Sequence, residues 1–156
     1  MSQLLIATPE DMAALGARLA ARLEAGDLVA LNGELGAGKT TLTRGLGVAL
    51  GVRGAVTSPT FVLARTHPRE SGVPLVHVDG YRLGSALELD DLDIDFAGSI
   101  VVVEWGEGLL DGVSDSWLQV DIQRPIGGAE SEEGVEPRTV RVTGHGPRWT
   151  DLAWLG

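Results

Sequence analysis

Residues Asp27 to Thr40, DLVALNGELGAGKT, run a short apolar strand directly into a glycine loop, and this junction constrains the fold more than any other feature. Gly33, Gly38, Lys39 and Thr40 fit G-x-x-x-x-G-K-[ST], a pattern that cradles phosphate when it follows a strand and opens a helix. The context agrees: Thr41 to Leu50 has helical character and stops at Gly51. The only lysine and the only asparagine of the chain both lie within Asn32 to Thr40, and every other basic side chain is arginine. A chain that uses arginine everywhere else is not expected to meet this lysine by accident. The expectation is a nucleoside triphosphate site, with successive backbone N–H groups holding the phosphates at the positive end of a helix. Lys39 would reach the β- and γ-phosphates, and the Thr40 hydroxyl would be a ligand for Mg²⁺.

The remaining elements follow from periodicity. Gln3 to Ala7 reads as an edge strand. Thr8 as N-cap, Pro9 at the first helical position and acids in the first turn predict a helix start. Met12, Leu15, Leu19 and Leu23 keep helical spacing, with Gly26 closing the helix. Phe61 to Thr66, Pro74 to Asp79 and Ser99 to Val103 read as strands, Pro68 to Gly72 as turns, and Ser85 to Phe96 as at least partly helical. Trp117 to Gln123 and Arg138 to Thr143 alternate, which predicts an antiparallel hairpin. One domain over residues 1–156 is expected: α/β, P-loop NTPase-like and three-layered, with a mixed, partly antiparallel central sheet and few helices.

A triphosphate site needs an acid at the end of a neighbouring buried strand. Glu104, directly after Ile100-Val101-Val102-Val103, is the candidate, since an acid ending an apolar strand is costly unless solvated or metal-bound. The alternative is an ordinary strand-end glutamate. Asp79 ends the previous apolar strand and suits metal, a metal-bound water or the attacking water equally well; otherwise it begins the turn to Tyr81. His77, one pleat away, reads as a satisfied core or rim histidine, and His67 and His145 do not cluster with it. Thr57 to Phe61 resembles a nucleotide-sensing switch segment. The acids at 88, 90, 91, 93 and 95 fail the calcium-loop pattern, because Phe96 and Val102 occupy its glycine and glutamate positions. They read as a solvated face, and the glutamates between 125 and 137 as a solvated loop.

Composition narrows the class. The 156 residues include no cysteine, so neither disulfides nor thiolate metal sites arise. The amino terminus lacks a basic n-region, and no apolar stretch approaches the ~20 residues that span a bilayer. A soluble cytoplasmic protein with no membrane partner is expected. A net charge of −10 repels nucleic acid, so any work on nucleic acid would go through a partner. An N-K-x-D guanine-reading motif is excluded, because the single asparagine and lysine are already used. A small-molecule kinase and a nucleotide-dependent binding module without essential hydrolysis remain as other readings.

LNGELGAGKTTLTRG, SPTF, HVDGYRL and IVVVEWGE, in this order and spacing, resemble the bacterial TsaE family, across roughly residues 6–145. Members of that family are the ATPase components of the tRNA threonylcarbamoyladenosine system. The resemblance implies that Gly36, Ala37, Gly38, Lys39, Thr40 and Thr41 bind ATP and that Thr40 and Glu104 hold Mg²⁺. It implies that Thr60 and Asp79 sit beside the phosphates, with Asp79 needed for hydrolysis. Thr8 and Arg138 would lie near the nucleotide. It implies assembly with the threonylcarbamoyl-transferase proteins that modify adenosine 37 of tRNAs reading ANN codons, tRNA being reached only through those partners. Glu34 stands where the family usually has aspartate, and the stretch after SPTF lacks a tyrosine often found there.

Overall fold

The computed structural model describes residues 2–33, 38–52, 64–68, 72–79, 94–104, 115–123 and 138–155, with the backbone alone at Asp79 and Ala153. The described elements are β1 (Ser2–Ile6), α1 (Pro9–Ala20), β2 (Leu28–Gly33), α2 (Lys39–Leu50), β3 (Ala64–His67), β4 (Leu75–Asp79), β5 (Ile100–Glu104), β6 (Trp117–Gln123) and β7 (Arg138–His145). Two 3₁₀ turns, Pro147–Trp149 and Ala153–Leu155, follow.

Seven strands form one mixed sheet in the order β1-β7-β6-β2-β5-β4-β3. The inner strands β6, β2, β5 and β4 are parallel, while β7, β1 and β3 join antiparallel. The all-apolar runs explain the centre: every residue of β5 is buried, as expected for a parallel strand covered on both faces. The alternating strands β6 and β7 pair as the expected hairpin, Trp117 opposite His145 and Gln123 opposite Thr139.

Alternation along the strands separates two cores. Val29, Leu31, Val102, Val120 and Val142 face α1 and α2, whose Met12, Leu15, Leu19, Leu42 and Leu46 close the larger cluster. Leu28, Ala30, Val76, Val78, Val101 and Val103 face the other way and meet Ile94 and Phe96. Fully burying each such leucine stabilises by about 1.5–3 kcal/mol. Trp149, Leu152 and Leu155 bring the carboxyl-terminal segment into the larger core.

One expectation needs correction. α1 ends at Ala20 with Ala21 as its cap, not at Gly26. Leu23 is still buried, but the chain there turns through i to i+3 bonds, Arg22 to Leu19 at 2.9 Å and Leu23 to Ala20 at 3.2 Å. Asp27 then accepts the Glu24 N–H at 2.6 Å, and Gly26 donates to the Ser99 carbonyl at 2.9 Å, so the turn belongs to the entry of β2. The expected helix at 85–96 lies mostly outside the described residues. Its last three residues, Ile94 to Phe96, are not helical; their apolar side chains pack on the sheet instead.

Candidate functional site

The site forms where β2 hands over to α2. Gly38 caps α2 with a φ of 117°, a left-handed conformation that costs glycine little. A Cβ there would also press on Met12 of α1, 3.2 Å from its Cε. The first intrahelical bond runs from Leu42 N to Gly38 O at 3.0 Å. The N–H groups of Lys39, Thr40 and Thr41 therefore lie in the first turn, where no carbonyl within the helix reaches them. Such a turn is a ready anion site. Thr40 and Thr41 are half-buried, and Thr43, one turn on, returns its hydroxyl to the Lys39 carbonyl at 2.8 Å.

Lys39 is only 7% exposed, and its ammonium folds back to donate to the Gly33 carbonyl at 2.6 Å. Burial pushes this lysine below its ordinary range, and the charge of Glu104 raises it part of the way back. Glu104, the last residue of β5, has Leu31 of β2 opposite it on one side and Asp79 of β4 on the other. The expected acid thus lies beside the phosphate loop at the carboxyl ends of the parallel strands, where open α/β sheets bind ligands. Asp79 ends β4 in register with it.

His77 is the residue that sequence reasoning misjudged. It is fully buried on β4, and its Nε2 lies 3.3 Å from Glu104 Oε1. The contact is not aligned as a hydrogen bond: both ring nitrogens and Glu104 Oε1 are buried without a hydrogen-bond partner. Its spacing of two from Asp79 was legible in the sequence, but the register that brings it to Glu104 was not. His67 on β3 is also nearby; burial first, then His77 and Arg65, hold its ring below the ordinary histidine range.

Thr8 is the N-cap of α1, and its hydroxyl accepts the Asp11 N–H at 3.1 Å. Arg138 starts β7 opposite Ile6. The chain of pairings Gly33–Ile122–Val140 puts both at the same end of the sheet as the phosphate loop. Asn32 donates to Asp121 at 3.0 Å, which ties the last residues of β2 to β6. Gly36, Ala37 and Thr60, the switch-like segment and the two acidic clusters apart from Asp95 lie outside the described residues. Asp95 accepts the Gly98 N–H at 3.1 Å, a local turn contact.

A threonine hydroxyl in the first turn of α2 and a carboxylate ending the adjacent strand are hard oxygen donors, the kind that suits Mg²⁺. The residues present fit the ion that the resemblance implies.

The sequence model of the family described as threonylcarbamoyl adenosine biosynthesis protein TsaE matches residues 6–130. The chain belongs to the TsaE family. It is 58% identical over 142 residues to the TsaE protein of Streptomyces coelicolor, covering 88% of this chain and 93% of that one. It is 34% identical over 145 residues to the TsaE protein of Bacillus subtilis, covering 92% and 86%. Among solved structures it resembles the crystal structure of YdiB from Bacillus subtilis with a TM-score of 0.64 and 28% identity, covering 94% of this chain and 86% of that one. The match to the family model runs from the last residue of β1 to beyond β6 and includes the phosphate loop, His77, Asp79 and Glu104.

Proposed function

We propose that this TsaE-family chain binds and hydrolyses Mg·ATP in the formation of threonylcarbamoyladenosine at position 37 of tRNAs reading ANN codons. It does so with the threonylcarbamoyl-transferase proteins and reaches tRNA through them. The relatives that carry the name tRNA threonylcarbamoyladenosine biosynthesis protein support the pathway. The observation that carries the ATP-binding half is the buried Lys39, folded onto Gly33 at the start of α2, with Glu104 ending the adjacent strand.

The phosphates of ATP rest on residues 36–41, and Lys39 leaves the Gly33 carbonyl to meet them. This exchange favours binding, because the lysine gives up a neutral carbonyl for anionic oxygens in a site that already disfavours its charge. Thr40 and Glu104 would hold Mg²⁺, which would supply positive charge beside the phosphates. Asp79, whose strand position lies opposite Glu104, helps position water or metal, and Thr60 reports the γ-phosphate to the partner surface. Thr8 and Arg138 border the nucleotide at the same end of the sheet.

The test is the threonylcarbamoyladenosine content of total tRNA after depletion of the protein, with wild-type or Lys39→Ala copies restored. Loss of the nucleoside that only the wild type repairs is the expected result. Unchanged modification under thorough depletion would overturn the pathway. Normal ATP binding by Lys39→Ala would overturn the site.

A further inference from the structure

Two buried polar groups meet behind the site and neither is satisfied. His77 is fully buried, its Nε2 stands 3.3 Å from Glu104 Oε1, and that oxygen and both ring nitrogens have no hydrogen-bond partner. Leaving such groups unpaired forfeits their hydration without return, so an unpaired set in a core calls for a reason. Ordinary packing does not supply one. Val102, opposite His77 on β5, is wholly apolar, and an aliphatic residue at 77 would extend the same buried face without the cost.

Geometry supplies the reason. Glu104 lies close enough to Lys39 for its negative charge to favour the protonated lysine, and its Oε1 lies against the His77 ring. A carboxylate that must present one oxygen to a cation is best held by a donor on its other oxygen, as groups behind metal ligands commonly do. A separation of 3.3 Å with poor alignment is a bond only partly made, and such bonds tighten when the ligand arrives.

We propose that His77 is a positioning residue for Glu104: its Nε2–H donates to Oε1 and leaves the other carboxylate oxygen to Mg²⁺. This rests on the Mg·ATP reading above. His77 touches neither nucleotide nor metal; it acts through Glu104. The proton must sit on Nε2, since a ring protonated only on Nδ1 would turn a lone pair toward the carboxylate and repel it.

Two measurements test this, and they fail separately. The first uses the unaltered, nucleotide-free protein: ¹⁵N NMR of the three histidine rings, assigned with His67→Gln and His145→Gln, reads which nitrogen carries hydrogen. Hydrogen on His77 Nε2 is expected; a ring protonated on Nδ1 alone overturns the proposal, whether or not the protein binds ATP. The second is a Mg²⁺ titration of fluorescent-ATP binding. His77→Leu should raise the Mg²⁺ needed for half-maximal binding by about 10–100-fold and leave binding in chelator unchanged. His77→Gln, which keeps a donor near the Nε2 position, should restore most of the loss. In a Glu104→Gln background, His77→Leu should add nothing. A folded His77→Leu protein with wild-type Mg²⁺ dependence overturns the proposal. If His77→Leu does not fold, the ring protonation in the wild type decides alone. If the wild type binds no nucleotide at any Mg²⁺ concentration, the Mg·ATP reading fails instead.

Discussion

Substituting Gly45 by alanine should lower the stability of this fold, against the usual effect of glycine-to-alanine changes within helices. α1 and α2 cross at Gly16 and Gly45. A Cβ on Gly45 would lie 2.6 Å from the Ala13 Cα and closer still to the Ala13 carbonyl. A Cβ on Gly16 would lie 2.7 Å from the Leu46 N and press on the Leu42 carbonyl. All of these are backbone atoms, so no rotamer change relieves the contact and the helices must separate by roughly 1 Å. Overpacking of this kind costs about 1–3 kcal/mol. Removing an interior glycine returns about 1 kcal/mol of helix propensity. Because the blocking atoms are backbone, the cost falls in the upper half of that range, and the net expectation is a loss of up to about 2 kcal/mol, or as much as roughly 6 °C in melting temperature for a chain of this size. Because both glycines serve one crossing, the double variant should lose less than the two single losses combined. Val48→Ala, at a position 80% exposed on the same helix, isolates propensity and should not destabilise. Thermal melts followed by circular dichroism, with a fluorescent-ATP titration of each variant, provide the assay. Since α2 carries Lys39 and Thr40, Gly45→Ala should also weaken nucleotide binding. A rise in melting temperature for Gly45→Ala would refute the close crossing.

Lys39→Met should abolish nucleotide binding without lowering the melting temperature of the nucleotide-free protein, because burial already disfavours the charged lysine; a clear drop in the melt would contradict this. His67 has a folded pKa below its ordinary 6.5. As pH falls below 6.5 the unfolded chain takes up that proton first, so stability declines until the folded pKa is passed. His67→Gln should flatten this part of the profile of melting temperature against pH, and an unchanged slope would reject it. Arg148 clamps Asp27 with two contacts of 2.9 Å, and Asp27 is buried. Arg148→Ala should cost about 1–2 kcal/mol after discounting for the solvent around the arginine, measured by urea denaturation. A loss no larger than that of an exposed control such as Arg141→Ala would show the clamp to be inert.

What the sequence made legible is what local physics writes locally. Apolar runs and alternation gave β2, β4, β5, β6 and β7 to within a residue or two, and the loop-to-helix junction gave α2. The place of Glu104 was legible because the apolar run before it marks a buried strand that ends at the acid. Pairing register was not legible: nothing in VHVDG or IVVVE states that Asp79 lies opposite Glu104, or that His77 therefore meets the same carboxylate. The end of α1 was misread because Leu23 keeps helical spacing while its backbone serves a turn. The tail was not read at all. Arg148 reaches Asp27 across 121 residues of chain, and Arg18 caps the carbonyl of Leu155. These contacts pin the carboxyl terminus beneath α1 and depend on tertiary proximity that no window of sequence contains.

The same limit explains why the site is concentrated at one end of the sheet. Parallel strands all deliver their carboxyl ends to one edge, so Gly33, Asp79 and Glu104 converge there without being near one another in sequence. Convergence gathers polar groups at the rim of an apolar core, where Lys39 is destabilised and Glu104 and His77 are incompletely satisfied. An isolated fold gains nothing from that arrangement, since aliphatic side chains at 77 and 104 would fill the same buried positions without unpaired atoms. A bound polyanion with its cation reverses the balance, because each underserved group then gains a partner of opposite charge or a hydrogen bond. The local deficit is therefore expected to reappear as binding-linked stability: saturating Mg·ATP should raise the melting temperature of the wild type more than that of Glu104→Gln. Equal shifts in the two proteins would mean that Glu104 contributes nothing to holding the ligand.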